Sequence, residues 1–216
     1  STLFPYTTLF RSASMKELSN ACFEWCKNLK EVVLPKTMTA MGYANFLNCT
    51  ALESFTLPDS LRTLGDGNFE GCTQLKEFHW NDVIETVGDY EFNRCERFEE
   101  MIVPATVTTI GKGCFKQCSG LRSVTIPATL KTLGEEVFSG CAALETVNWE
   151  HIALAVIPER AFEGCNNLKQ LDLPETVSRI GANAFESSGL QSVVLGPNME
   201  RLGYEAFKNC CSLNRV

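Results

Sequence analysis

Positive charge is in short supply in this chain: 19 lysines and arginines stand against 26 aspartates and glutamates, for a formal net charge of −7. Phosphate backbones and anionic lipid surfaces attract basic patches, so this balance argues against nucleic acid and against such membranes as partners. No long run of one charge sign occurs, and the scatter of both signs reads as an ordinary solvated surface. No stretch approaches the roughly 18 consecutive apolar residues of a membrane span, so membrane insertion is not expected. Histidine is nearly missing, with only His79 and His151 in 216 residues. Glycines occur singly, so no phosphate-cradling loop is spelled out.

What is abundant is repetition. Phenylalanines recur at Phe23, Phe46, Phe69, Phe92, Phe115, Phe138, Phe162, Phe185 and Phe207, 23 residues apart except for 24 before Phe162 and 22 before Phe207. A fixed period of this length signals a stacked solenoid. The 44% hydrophobic content is enough for a sizeable core, which the repeat draws out into a strip. Within a period, Leu29, Val32 and Leu34 point one way while Val33 alternates with them, as in a half-buried strand. Pro35 lacks an amide donor and ends that strand, as do Pro58, Pro104, Pro127 and Pro174. A turn with one inward residue follows (Met38, Leu61, Ile84, Val107, Leu130). Then comes a glycine (Gly42, Gly65, Gly88, Gly111, Gly134, Gly181, Gly203) that supplies either a positive φ or a close backbone approach. Phe46 and Cys49, three apart, suit a short helical turn on the outer face.

Eleven cysteines invite a disulfide reading, but their placement opposes it. Cys26, Cys49, Cys72, Cys95, Cys118, Cys141, Cys165 and Cys210 each follow a ladder phenylalanine by three residues. Stacked about 4.8 Å apart, their side chains point in parallel and their Cβ vectors do not converge as a bridge requires. The expectation is a column of buried thiols acting as small hydrophobes. The structural ladders are therefore Phe46, Phe69, Phe92, Phe115, Phe138 and Phe162 with Cys49, Cys72, Cys95, Cys118, Cys141 and Cys165.

Residues 1–14 do not fit the repeat and are expected to be a non-repeat segment, either a frayed partial coil or sequence foreign to the native protein. The solenoid is expected over residues 15–216, as about eight complete coils with a partial coil at each end. Because the last coil stops at Val216 just as a strand opens, the chain reads as a fragment of something longer. Irregularities fall in three places. Trp80 and Trp149 occupy the last inward strand position in two coils that lack the proline. One extra residue sits near residues 150–152, and Pro158 takes the place of the glycine. The coil from Phe185 is one residue short and lacks its cysteine. These are either drift in the array or, at the insertion, a way to bring His151 to a ligand.

The spacing Leu-x-x-Val-x-Leu-Pro-x-x-Leu-x-x-Leu/Ile-Gly-x-x-x-Phe-x-x-Cys-x-x-Leu resembles the BspA-like subclass of leucine-rich repeats. It departs from the commoner pattern, which has Asn or Cys after the strand where these coils have proline. The resemblance covers residues 15–216. It implies an α/β solenoid, a right-handed coil with a parallel β-sheet on one concave face and short helical turns outside. It also implies a surface or secreted protein engaged in adhesion to extracellular-matrix or cell-surface proteins, or to glycans. Family-wide catalytic residues and cofactors do not exist to carry over.

On such a sheet the outward residues run Glu31 and Val33; Ser54 and Thr56; Glu77 and His79; Glu100 and Ile102; Ser123 and Thr125; Thr146 and Asn148; Gln170 and Asp172; Ser192 and Val194. The candidate contact patch is Glu77, His79, Glu100 and Ile102, flanked by Ser123 and Thr125. Catalysis is not expected: the two histidines lie three coils apart, roughly 15 Å along the stack, beyond the reach that a nucleophile and its base require. Cys22 with Cys26 and Cys114 with Cys118 are spaced by four, but a zinc site wants four ligands and each pair lends one member to the buried column. Two functions remain: a binding module using the exposed sheet, or a spacer that holds another domain at a distance.

Overall fold

The computed structural model describes residues 7–9, 14–149 and 151–216. The described chain winds as stacked coils joined by parallel strands of two kinds. Three-residue strands form the wider sheet: β1 (Thr7–Leu9), β3 (Glu31–Val33), β5 (Ser54–Thr56), β6 (Glu77–His79), β8 (Glu100–Ile102), β10 (Ser123–Thr125), β12 (Thr146–Asn148), β14 (Gln170–Asp172) and β16 (Ser192–Val194). Two-residue strands form a narrower one: β2 (Glu17–Leu18), β4 (Ala40–Met41), β7 (Thr86–Val87), β9 (Thr109–Ile110), β11 (Thr132–Leu133), β13 (Val156–Ile157), β15 (Arg179–Ile180) and β17 (Arg201–Leu202). Register follows the repeat, with Ser123 beside Glu100 on one side and Thr146 on the other. Thr7–Leu9 pairs with Glu31–Val33; the rest of residues 1–13 lies outside the described residues.

Alternation places Val32, Phe55, Met101, Val124, Leu171 and Val193 in the core and their strand neighbours toward solvent. Each proline after a strand opens a tight turn, as where Met38 N–H donates to Pro35 C=O at 3.1 Å. The phenylalanines form one continuous stack from Phe23 to Phe207, with ring centroids 5.2–5.8 Å apart. The rings are nearly parallel and offset at this separation, a favourable arrangement for aromatic quadrupoles. Phe46 to Phe185 are fully buried in it.

The expected helical turns on the outer face are not there: the described residues contain no helix. The residues two before and two after each ladder phenylalanine have positive φ instead, for example Ala44 (56°) and Asn48 (58°) around Phe46. These left-handed residues interrupt any helical run and turn alternate N–H groups toward the next coil. Ala44, Phe46 and Asn48 donate to the carbonyls of Asp66, Asn68 and Glu70 at 2.7–2.9 Å. A spacing of three is shared by a helical turn and by consecutive tight turns, and here the inter-coil bonds decide between them. The outer face is therefore a third hydrogen-bonded seam. Left-handed geometry costs a non-glycine residue about 1–2 kcal/mol, and the seam offsets it.

The glycine column serves close approach rather than positive φ. Gly134 has ordinary φ, but a Cβ there would lie 2.3 Å from the Gly111 carbonyl carbon. One coil's backbone rests directly on the next at this point.

All eleven cysteines are free. The thiols of Cys49, Cys72, Cys95, Cys118, Cys141 and Cys165 each donate to the carbonyl of the ladder phenylalanine one coil earlier, at 3.0–3.2 Å. That carbonyl also receives the N–H of its own coil's cysteine, as with Cys49 and Phe46 at 3.0 Å. The column is thus more than packing, since its sulfurs link successive coils. Burial pushes the thiols of Cys49 and Cys141 up to about 12, and raises Cys72, Cys95, Cys118 and Cys165 well above the ordinary value. They remain protonated donors and poor nucleophiles. The ends depart from the expected burial: Cys26 is exposed and Cys210 only half-buried, although Cys210 still bonds Phe185 at 2.9 Å. In the short coil buried Ser188 stands where the cysteine would be, and its hydroxyl meets the Cys210 sulfur at 3.3 Å.

A polar column runs beside the phenylalanines. The Asn68 amide oxygen accepts from Asn45 N–H and Asn45 Nδ2, both at 3.1 Å. Glu91 Oε2 accepts from Asn68 N–H at 3.0 Å and Asn68 Nδ2 at 3.4 Å. Glu91 is fully buried, and its other oxygen has no hydrogen-bond partner among the described residues.

Candidate binding surface

The wide sheet presents a strip of outward side chains, and all six patch residues lie on it. Glu77, His79, Glu100 and Ile102 are exposed, Ser123 and Thr125 partly so. Ile102 is 60% exposed, a large apolar surface flanked by carboxylates and hydroxyls. Strand register brings Glu100 beside Ser123 and Ile102 beside Thr125. Glu77 and His79 pair instead with Ser54 and Thr56 on β5. No ladder joins β6 to β8 among the described residues, so an opening divides the patch.

That opening has a regular cause. One backbone bond marks each closed interface of the wide sheet: Glu53 to Lys30, Lys76 to Glu53, Arg122 to Glu99, Glu145 to Arg122, Gln191 to Lys169 and Asn214 to Gln191. Among the described residues its counterparts are missing between β6 and β8 and between β12 and β14. These two interfaces follow Trp80 and Trp149. β3 and β5, where Leu34 follows the strand, also lack a ladder but keep the Glu53–Lys30 bond; at the two tryptophan interfaces that bond is lost as well, and the inward residues Phe78 and Val147 are partly exposed. The sequence marked both tryptophans as irregular without showing that the sheet opens beside them.

Between β12 and β14 the opening becomes a cleft of about 1190 Å³, lined among others by Thr146, Asn148, Trp149, His151, Gln170 and Asp172. His151 is exposed at its edge in the left-handed conformation, φ 61°. The two histidines stay on separate coils, and the described residues hold no group of three or more metal-ligating side chains. Cys22 is exposed and Cys114 buried, with its thiol raised by desolvation and then by nearby Glu91.

The BspA type leucine-rich repeat region, in six copies, matches residues 5–97 and 85–214. No curated protein matches. Among solved structures, a leucine-rich repeat protein from Bacteroides ovatus is similar at TM-score 0.72 and 23% identity over 92% of this chain and 60% of its own. This chain thus spans less than two thirds of that relative. A leucine-rich repeat protein of T. pallidum follows at TM-score 0.57 and 21% identity, over 96% of this chain and 81% of its own. A leucine-rich cell surface protein from Faecalibacterium prausnitzii matches at TM-score 0.55 and 20% identity, over 93% and 69%. These likenesses support the solenoid fold, and leucine-rich-repeat proteins are generally protein-interaction modules. By the match along nearly its whole length, the chain belongs to the BspA-type leucine-rich-repeat family.

Proposed function

We propose that this solenoid, residues 15–216, is a non-catalytic binding module that holds a protein partner, or a glycan on one, against its wide sheet in an adhesion or host-contact setting at the cell surface. The observation that carries the reading is the contrast between the two sides of each wide strand. Inward strand positions are apolar in every coil (Val32, Phe55, Phe78, Met101, Val124, Val147, Leu171 and Val193), whereas outward positions vary in character and include Ile102, largely exposed among Glu77, His79 and Glu100. Exposed apolar surface rimmed by polar groups is how interaction sites differ from plain solvated strands. The cell-surface description of the Faecalibacterium relative supports the setting.

Replacing Glu77, His79 and Glu100 together by alanine tests it. Capture of extracellular-matrix and cell-surface proteins should weaken at least tenfold while the melting temperature stays put, since all three side chains are exposed. Unchanged capture removes the patch. A solenoid that served as a spacer would instead tolerate loss of a whole coil with no effect on capture.

A further inference from the structure

The cleft beside β12 and β14 is built from side chains. The two strands stay close, the Trp149 indole N–H bridges to the Asp172 carbonyl at 2.8 Å, and the narrow strands of the same interface, β13 and β15, are paired. That joint is shut to a guest backbone, so recognition there falls to the outward side chains and to the loop after β12. This loop carries the coil's extra residue, and His151 stands exposed in it with φ 61°. Among the described residues every other left-handed residue, glycines included, lies two before or two after a ladder phenylalanine. The outer seam explains those positions and does not explain His151. Left-handed backbone crowds a Cβ, and such outliers gather where a site needs a side chain held in place. Thr176 Oγ1 donates to the Leu154 carbonyl at 2.8 Å and fastens the loop to the next coil.

The lining combines apolar and hydrogen-bonding surface. Val147, Leu173 and Pro174 are half-buried and supply the apolar part. Asn148, Gln170 and Asp172 are exposed. Gln170 Nε2 donates to Asp172 Oδ1 at 3.4 Å and Asn148 Nδ2 to Thr125 Oγ1 at 3.5 Å. These bonds are long, and they leave the amide oxygens and most of the carboxylate lone pairs open. The charge of the rim is acidic. Asp172 and Glu175 form no ion pair with any described cation, while Lys169 donates to the Asn166 carbonyl at 2.8 Å.

We propose that this cleft holds a neutral pyranose residue of a glycan, its ring face on Val147, Leu173 and Pro174 and its hydroxyls bonded by Asn148, Gln170 and Asp172, with His151 at the edge. A sugar hydroxyl both donates and accepts, so it pairs with amides and a carboxylate alike, while the C–H face of the ring is apolar. An added peptide strand would need free backbone groups, which the joint does not offer. A sialic acid, a uronic acid or a phosphate would meet Asp172 and Glu175 as like charges, which excludes it. At about 1190 Å³ the cleft has room for more than one sugar ring. The inference rests on the chain being a non-catalytic binding module, though not on the six-residue patch.

The test titrates the full chain, followed by calorimetry, with neutral trisaccharides of glucose, galactose, mannose or N-acetylglucosamine, each beside a counterpart ending in sialic or glucuronic acid. Expected is saturable binding of at least one neutral sugar, and binding at least tenfold weaker for its acidic counterpart. Gln170→Ala with Asp172→Ala, at exposed positions, should weaken binding at least tenfold and leave the melting temperature unchanged. His151→Gly keeps the left-handed backbone accessible, removes the imidazole and should weaken binding at least threefold. The Glu77, His79 and Glu100 triple variant should bind the sugar as before, which separates this cleft from the patch. Absence of binding by every neutral sugar, equal binding of the acidic counterparts, or unchanged binding by the Gln170 and Asp172 double variant would each overturn the proposal. Loss of sugar binding with capture of proteins intact would remove the cleft alone and leave the binding-module reading standing.

Discussion

Glu91→Gln should make this protein more stable at neutral pH, and the gain should vanish in acid. Glu91 is fully enclosed; Oε2 receives two bonds from Asn68, while Oε1 has no partner among the described residues. Burial raises its carboxyl well above the ordinary value of 4.5, against the opposing effect of the Asn68 hydrogen bonds, and the nearby Asp66 charge adds to the rise. A group whose folded value lies above its unfolded one contributes stability that is fully present below the unfolded value and is lost as pH rises through the folded one. Wild-type stability should therefore decline from about pH 4.5 upward, by at most about 1.4 kcal/mol per pH unit from this group. Glutamine keeps an oxygen to accept from Asn68, repeats the amide chemistry of Asn45 and Asn68, and has no proton to lose. The expected gain is about 1–3 kcal/mol near neutrality, the scale of one poorly satisfied buried polar group. Urea melts of both proteins near pH 4 and near pH 7.5 measure it. A pH-independent difference, or a glutamine variant less stable at neutral pH, would refute the reasoning.

Other outcomes follow from the same columns. Phe115→Ala, in the middle of the ring stack, should cost about 3–5 kcal/mol in denaturant melts. Cys118→Ala removes a thiol donor and its volume and should cost about 1–3 kcal/mol by the same assay. A thiol reagent should modify Cys22, Cys26 and Cys211 rapidly, Cys210 more slowly, and the seven buried cysteines only on unfolding; mass spectrometry of the labelled peptides reads this. Gly134→Ala forces a methyl into the Gly111 backbone and should lower stability by about 3 kcal/mol, whereas alanine at Gly196, whose nearest contact is 3.9 Å, should change it little. Hydrogen exchange should be faster at the Trp149 amide than at the Ile126 amide, which donates to Asn148 at 2.8 Å.

The ladders were legible because every coil repeats them at nearly constant spacing: Phe46 over Phe69, Cys49 over Cys72, Val124 beside Val147. The outer seam was not. Its left-handed positions hold Ala44, Tyr90, Gln117 and Glu136 as readily as Gly67 and Gly113, so composition conceals a backbone feature that only inter-coil bonding enforces. The weak signal was in the glycines at some of those positions, two before or after a phenylalanine. The thiol bonds were hidden too, because burial alone accounts for a cysteine column and only coordinates show each sulfur against a Phe carbonyl. Buried Asn45, Asn68 and Glu91 broke the apolar pattern one residue before each phenylalanine, and that was the available signal for the polar column. The patch residues could be assigned to one face by alternation, whereas the opening that separates His79 from Ile102 depends on how much room an indole takes.

A solenoid can open its sheet at chosen places because its three seams are separable. Between β6 and β8 the wide sheet parts, yet β7 remains paired with β9 and the outer seam holds through Phe69 N–H and Glu91 C=O at 3.0 Å. Between β12 and β14 the wide sheet parts while β13 stays paired with β15, and the outer seam holds through Glu136, Phe138 and Gly140, whose N–H groups donate at 2.7–2.9 Å. The phenylalanine stack crosses both openings, at 5.8 Å and 5.5 Å. Each coil contacts only its neighbours, so the loss stays local to one interface. A tryptophan in the last inward strand position therefore changes the binding face while the opposite wall keeps the coils in register. Substituting tryptophan for Ile126, where the wide sheet is now closed, should open a third slot between β10 and β12. Faster exchange at the Glu145 amide, with the Phe115 amide that donates to Val137 still protected, would show it; equal loss of protection at both would mean that the seams do not act separately.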